Sequence, residues 1–322
     1  MLPDPSNLTI LFAHPAYRMQ QRFETRGTGL RSFQVASRDE LAARIPEADV
    51  VVVSGLWNNA LIDKAAKLRF VQSISAGVDQ YDQAALRAKG VRLASAQGVN
   101  ANAVSEHAMA LILAMVRLLP QARDNQSKHH WRGMIGEIAQ REDELGGKLL
   151  LVVGLGRIGG RLARLAKAFG MRVVGLRRDP AAGAEGADAV HAIGELAHWL
   201  PQADFVALTC PLTPETQGLI DARALGLMKP SARLINVARG KVVDEPALIA
   251  ALREGRIAGA ALDTVVEEPL PAASPLWDLP NVFVTPHSAG ETQRYEDNVL
   301  DILMENIARL QRGETQLKNQ IV

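Results

Sequence analysis

Cysteine is almost missing from this sequence: Cys210 is the only one in 322 residues. One thiol excludes an intrachain disulfide framework and leaves too few sulfur ligands for a zinc cluster, so a reducing, cytoplasmic setting is expected. An excess of one charge is missing too. Thirty-six Lys and Arg face 35 Asp and Glu, a formal net charge of +1, and so small an excess does not steer a chain toward nucleic acid or an anionic membrane. Neither partner is expected. The opening "MLPDPSNLTILFAHP" lacks the basic start, apolar stretch and small-residue cleavage site of a signal peptide. No long hydrophobic run exists either. The most continuous one, "AMALILAMV" from Ala108, is broken by Arg117 and Pro120, short of the roughly 20 residues that span a bilayer, and reads as a buried helix. His129 and His130 are adjacent, so their side chains point apart, and no acid or thiolate stands at ligand spacing; no metal is expected.

What the chain does have is apolar mass, 48% of its residues, and length for two domains at about 100 to 200 residues each. Short runs rich in β-branched residues, "LTILFA", "SFQVAS", "ADVVVVSG", "LRFVQSI" and "VRLAS", alternate with longer helical patterns. That rhythm predicts parallel strands joined by crossover helices. The segment "NAVSEHAMALILAMVRLLPQARDN" predicts a helix apolar on nearly every side, capped by Asn102 or Ser105 and running up to Pro120. The alternation restarts at "LLLVV" and continues through "MRVVGLRR", "ADFVALT", "ARLINVA", "AGAALDT" and "NVFVTPH", giving a second doubly wound sheet. The fold class expected is α/β with two doubly wound parallel-sheet domains.

Gly154, Gly156 and Gly159 make a G-x-G-x-x-G spacing between the strand "LLLVV" and the helix "RLARLAKAF". In that setting the first glycine permits a tight turn, the second lets backbone approach a pyrophosphate, and the third lets helix pack on strand. The ribose-binding acid of an NAD site belongs at the end of the next strand, about 20 residues on. Arg177 and Arg178 stand there instead. A carboxylate would repel a 2′-phosphate and guanidinium groups grip one, so NADP(H) is the cofactor preferred. Asp179 lies close enough to shift the register, which keeps NAD(H) open.

Three ionisable residues follow late strands: Arg239 after "LINVA", Glu268 after "ALDTVVE" and His287 after "VFVTP". Ligands of open α/β sheets bind outside the carboxyl ends of the strands, where the three are expected to converge. A histidine can protonate the alkoxide formed when hydride reaches a ketone. A carboxylate beside it stabilises the imidazolium, and an arginine holds a substrate carboxylate or a polarised carbonyl. Taken singly, each has a bland alternative: a surface ion pair, a solvated loop acid, a histidine satisfied in a turn. Cys210 has no base near it in sequence and reads as a small buried or cofactor-facing thiol, and Trp57 and Trp131 read as pocket walls or as caps on a core.

The runs "ELGGKLLLVVGLGRIGGRLA", "PLTPETQGLI", "MKPSARLINVARGKVVDEPALIAAL", "AGAALDTVVEEPLP" and "NVFVTPHSAG", with the earlier "SISAGVDQYD" and "QGVNANAVSEHAM", resemble the D-isomer-specific 2-hydroxyacid dehydrogenases. The resemblance implies that Arg239, Glu268 and His287 are the catalytic arginine, glutamate and histidine. It implies that Ala76, Gly77 and Val78 carry the amides that hold the substrate carboxylate, with Arg239 as a further substrate contact. It places Arg157, Ile158, Cys210, Pro211, Val237, Ala238 and Asp263 against the cofactor, beside Gly154, Gly156, Gly159, Arg177 and Arg178. It further implies a Rossmann cofactor domain over 100–289, inserted into a flavodoxin-like substrate-binding domain of 1–99 and 290–322, and a homodimer. Arg177 in place of the usual acid is similar to the NADPH-preferring glyoxylate and hydroxypyruvate reductases, and Val265 stands where an aromatic residue is common. The activity expected is reduction of a small 2-keto acid, glyoxylate or hydroxypyruvate, to its D-2-hydroxy acid. The alternative is a dinucleotide-sensing, corepressor-like binding protein on the same scaffold. Formate oxidation fits less well, because that branch carries glutamine where Glu268 stands.

Overall fold

The computed structural model describes residues 2–322, and the chain divides into two compact units at Asn100/Ala101 and Glu291/Thr292. Each run predicted above as a strand forms one, most of them trimmed at their ends, with the strand in "SFQVAS" starting one residue earlier at Arg31.

The unit built from the residues through Asn100 and from Thr292–Val322 holds a sheet of β1 (Thr9–Ala13), β2 (Arg31–Val35), β3 (Val50–Val53), β4 (Phe70–Ser73) and β5 (Arg92–Ala94). The strands are parallel in the order β2-β1-β3-β4-β5, the flavodoxin-like winding. Helices cover both faces of such a sheet, so its central strands are apolar on both sides. Accordingly β3 is four consecutive buried valines. Ser37 and Glu40 form a reciprocal cap on the helix Arg38–Arg44, satisfying amides that a helix start leaves open. The last helix, Tyr295–Gln311, belongs to this unit because its Val299, Leu300, Leu303 and Ile307 complete the core around Phe12, Val52 and Phe70. Asp297 pairs with Arg22 and Arg26 beside it, and the Arg22 hydrogen bond holds the Asp297 carboxyl below its ordinary range.

The other unit, Ala101–Glu291, holds β6 (Leu149–Val153), β7 (Arg172–Arg177), β8 (Ala189–Ala192), β9 (Phe205–Leu208), β10 (Arg233–Asn236), β11 (Gly259–Leu262) and β12 (Val282–Val284). They run parallel in the order β12-β11-β10-β9-β6-β7-β8. From β8 inward this is the dinucleotide-binding order 3-2-1-4-5-6 with one strand added, and it reverses between β6 and β9.

The apolar helix departs from its expected limits at both ends. It spans Ala101–Val116, so Asn102 and Ser105 lie inside it rather than capping it. The Ser105 hydroxyl instead donates to the Asn102 carbonyl at 2.9 Å, the local bond a serine makes when it sits within a helix. At the far end Leu118 turns left-handed (φ 51°) and a second helix, Leu119–Ser127, departs at 68°. Pro120 opens that second helix, where its missing N–H costs nothing. Val104, Ala108, Leu111, Ile112 and Met115 are buried in one core with Leu162, Ala163 and Ile235. No single helix among the described residues is long and apolar enough to cross a membrane.

Candidate active site

The turn after β6 shows why each glycine is there. A Cβ on Gly154 (φ 103°) would lie 2.4 Å from the Cys210 backbone nitrogen, and one on Gly159 would lie 2.5 Å from the Gly154 carbonyl oxygen. Both glycines are demanded by the protein's own packing. Gly156 is different: it opens the helix Arg157–Ala168 with no side-chain cap, and a Cβ there meets no protein atom within 4 Å. A methyl group at Gly156 would fill only the cradle in front of the helix N-terminus, where backbone amides and the helix dipole favour an anion. This turn fits the pyrophosphate of a dinucleotide. Arg157 is exposed and Ile158 half-buried at the start of the same helix.

Cys210 and Pro211 follow β9, and the Thr209 hydroxyl donates to the Gly154 carbonyl at 2.8 Å, which binds that strand end to the glycine turn. Burial pushes the Cys210 thiol up to about 11, the behaviour of an inert buried thiol. Val237 and Ala238 are buried after β10. Asn236 shapes their turn by accepting from the Ala238 N–H at 3.0 Å and donating to the Arg239 carbonyl at 3.1 Å.

Arg177 is the last residue of β7, and Arg178 follows it, exposed. Arg177 donates to the Gly183 carbonyl at 2.9 Å. Neither guanidinium forms an ion pair among the described residues, but the charge of Arg178 adds to the Thr213 hydrogen bond in holding the Glu215 carboxyl below its ordinary range. Asp179, exposed, accepts the Ala181 N–H at 3.0 Å and caps the short turn Pro180–Ala182.

At the carboxyl ends of β11 and β12 the structure brings Glu268 and His287 together. His287 Nδ1 lies 2.7 Å from Glu268 Oε2, and Glu268 Oε1 accepts the Val265 N–H at 3.1 Å. The carboxylate is thus fixed by its own loop on one side and orients the imidazole on the other. Both side chains remain partly open to solvent, 46% for His287 and 37% for Glu268. His287 has a left-handed backbone, φ 53°, a conformation that costs energy for a non-glycine residue and is held only where its surroundings insist on it. Arg239, exposed after β10, donates instead to the Ala238 carbonyl at 2.7 Å, and no bond joins it to the Glu268–His287 pair. Gly240, next to it, went unnoticed in the sequence. A Cβ there would lie 1.9 Å from the Val265 carbonyl oxygen, so glycine is what lets the Arg239 turn pack against the Glu268 loop.

Asp263 is buried at the end of β11. Its Oδ1 accepts the Thr285 hydroxyl at 2.6 Å and the Ser288 N–H at 3.0 Å, and its Oδ2 accepts the Ala289 N–H at 3.1 Å. Both oxygens therefore grip the segment that carries His287. Thr285 was not singled out from sequence, although a hydroxyl two residues before a candidate acid–base histidine is a usable signal.

In the other unit, Ala76, Gly77 and Val78 form the loop after β4. Ser75 Oγ donates to the Gly77 carbonyl at 2.8 Å and lies 2.8 Å from Ser54 Oγ, which in turn accepts from Gln80 at 3.1 Å. The N–H groups of Ala76, Gly77 and Val78 meet no protein acceptor among the described residues. Trp57 is buried against Tyr81, ring centroids 5.4 Å apart, so it caps a core, while Trp131 is 96% exposed.

Comparison with known proteins identifies the family of the chain. Residues 109–289 match the family model described as D-isomer specific 2-hydroxyacid dehydrogenase, NAD binding domain. D-3-phosphoglycerate dehydrogenase of Methanocaldococcus jannaschii is 39% identical over 283 residues, 86% of this chain and 52% of that protein. The chain spans about half the length of the D-3-phosphoglycerate dehydrogenases it matches, 52% for this one. Glyoxylate reductase of Pyrococcus furiosus is 36% identical over 287 residues, 86% of this chain and 83% of that one. Among solved structures, a D-isomer specific 2-hydroxyacid dehydrogenase from Xanthobacter autotrophicus Py2 in complex with NADPH and MES superposes with a TM-score of 0.79 at 29% identity, covering 98% of both chains.

Proposed function

The chain belongs to the D-isomer specific 2-hydroxyacid dehydrogenase family, and on that premise we propose that it reduces a small 2-keto acid, glyoxylate or hydroxypyruvate, to the D-2-hydroxy acid with NADPH. The observation that carries this reading is the 2.7 Å bond between His287 Nδ1 and Glu268, a pair that follows strands of the same parallel sheet whose β6 leads into the glycine cradle that fits a pyrophosphate. A bound nicotinamide dinucleotide supplies the hydride. The protein's part is to hold and move a proton. With Nδ1–H directed at Glu268, the ring is held in one orientation and Nε2 is the atom that gives a proton to the substrate's carbonyl oxygen. The Glu268 carboxylate stabilises the imidazolium that gives up the proton. Arg239 is the cofactor-binding unit's source of fixed positive charge for a substrate, and in the other unit the amides of Ala76, Gly77 and Val78 offer donors to a carboxylate.

The preference for NADPH over NADH rests on Arg177 and Arg178. Arg177 forms no ion pair among the described residues, and a charge-assisted bond to a 2′-phosphate contributes roughly 1.5–3 kcal/mol, at least a tenfold preference. The NADPH-bound structural neighbour supports this cofactor reading, and the glyoxylate reductase relative supports the substrate reading. We also propose a homodimer: Trp131, Met134 and Ile138 lie exposed on one segment after the second helix, an apolar patch of the kind that marks an interface. The inert buried Cys210 suits a cytoplasmic enzyme.

The test is a panel of 2-keto acids with each cofactor, read as loss of reduced-nicotinamide absorbance. Fastest turnover on glyoxylate or hydroxypyruvate with NADPH is expected. Tight NADPH binding with no turnover on any keto acid would make the protein a dinucleotide-sensing binder instead.

A further inference from the structure

The segment that carries His287 is held from outside the catalytic pair. His107, on the helix Ala101–Val116, lies with Nε2 2.9 Å from Thr285 Oγ1, 178 residues away in sequence. The Thr285 hydroxyl is itself 2.6 Å from Asp263 Oδ1. A carboxylate only accepts, so the Thr285 hydrogen must point at Asp263. The remaining lone pairs of Thr285 then accept from His107, which assigns the proton of His107 to Nε2. The result is a directed chain, His107 to Thr285 to Asp263, in which each bond polarises the next. Asp263 closes it on the far side of His287 by accepting the N–H groups of Ser288 and Ala289. Within the strap the His287 N–H bonds the Thr285 carbonyl at 3.0 Å, and the His287 backbone is left-handed. A strained conformation persists only if it is over-determined, and this chain is what over-determines it.

We propose that His107 is a positioning residue for proton transfer: through Thr285 and Asp263 it fixes the left-handed backbone of His287 and so the direction of its imidazole. The inference rests on the reading of His287 as proton donor. It makes no demand on the cofactor, because His107 acts on the segment 285–289, chiefly through Thr285 and also directly on Asp263, whose Oδ1 lies 3.5 Å from His107 Nε2.

Three variants test it: H107L removes the donor, H107Q restores an amide N–H the same number of bonds from Cβ, and T285V deletes the relay. With NADPH and the best keto acid, H107L is expected to lower kcat about tenfold, the loss of one well-directed hydrogen bond, with KM and NADPH affinity near wild type. H107Q should recover most of kcat, and H107L/T285V should be no slower than the worse single variant, the signature of a shared path. A purely structural role would lower thermal stability without the selective fall in kcat and without rescue by glutamine. Amide hydrogen exchange at Ser288 and Ala289 gives a readout independent of turnover and should speed up about tenfold in H107L. Equal kcat in the leucine and glutamine variants, or unchanged exchange at those two amides, overturns the proposal. A wild type inert toward every keto acid would sink the functional reading, and exchange at Ser288 and Ala289 would still decide what His107 does.

Discussion

The three glycines of the β6 turn should respond to the same substitution in two opposite ways. Alanine at Gly154 puts a Cβ 2.4 Å from the Cys210 nitrogen at a φ of 103°, and alanine at Gly159 puts one 2.5 Å from the Gly154 carbonyl oxygen. Contacts that short force backbone to move, and overpacking of this kind costs about 1–3 kcal/mol, with a comparable strain added at the positive φ. Alanine at Gly156 meets no protein atom within 4 Å, and φ there is −103°. Its stability should stay within about 0.5 kcal/mol of wild type, or rise slightly because the unfolded chain loses freedom. Its methyl group stands where a pyrophosphate would approach the amides, so losing one or two charge-assisted bonds at roughly 1.5–3 kcal/mol each weakens the dinucleotide at least tenfold. Urea denaturation of the three apo variants, with calorimetric titration of NADPH into each folded one, reads both effects. G154A and G159A should denature early, and G156A should denature like wild type and bind poorly. A G156A variant that binds NADPH as tightly as wild type, or that unfolds as readily as G154A, refutes the assignment of that glycine to the ligand.

Arg177→Asp should weaken NADPH at least tenfold while changing NADH little; an unaltered ratio of the two dissociation constants would move the phosphate contact elsewhere. Ser75→Ala removes the hydroxyl that joins Ser54 to the Gly77 carbonyl and should raise KM for the keto acid about threefold to tenfold, the loss of one hydrogen bond, with kcat unchanged; a fall in kcat at constant KM would contradict that role. Cys210, its thiol raised by burial to about 11 from 9.0, should resist iodoacetamide near neutral pH until the chain unfolds, because the thiolate is the reactive form. Since the folded thiol holds its proton longer than the unfolded one, stability should also fall as pH rises from 9.0 toward about 11, and denaturation midpoints that stay level through that window would show the thiol to be exposed.

The fold was legible wherever burial imposed a pattern. β3 and β6 are continuous apolar runs because helices cover both faces of a parallel sheet, and the glycine turn announced itself by its place between strand and helix. β8 escaped notice: Ala-Val-His-Ala is an edge strand, half-buried along its length, so no face of it demands a hydrophobic repeat. The left-handed break at Leu118 was hidden as well, since leucine carries no signal for that conformation and only Pro120 marked the neighbourhood. At the site, the pairing of Glu268 with His287 was legible by residue type and by their place after strands. Gly240 and His107 were not, because what makes them necessary is a neighbour in space: the Val265 carbonyl for one, the Thr285 hydroxyl for the other.

The proton carried by His287 is the centre of this account, and one variant addresses it. His287→Ala should bind NADPH as wild type does and should reduce glyoxylate or hydroxypyruvate at least a hundredfold more slowly, the usual contribution of a positioned general acid. Wild-type turnover in that variant, with NADPH bound, would contradict it.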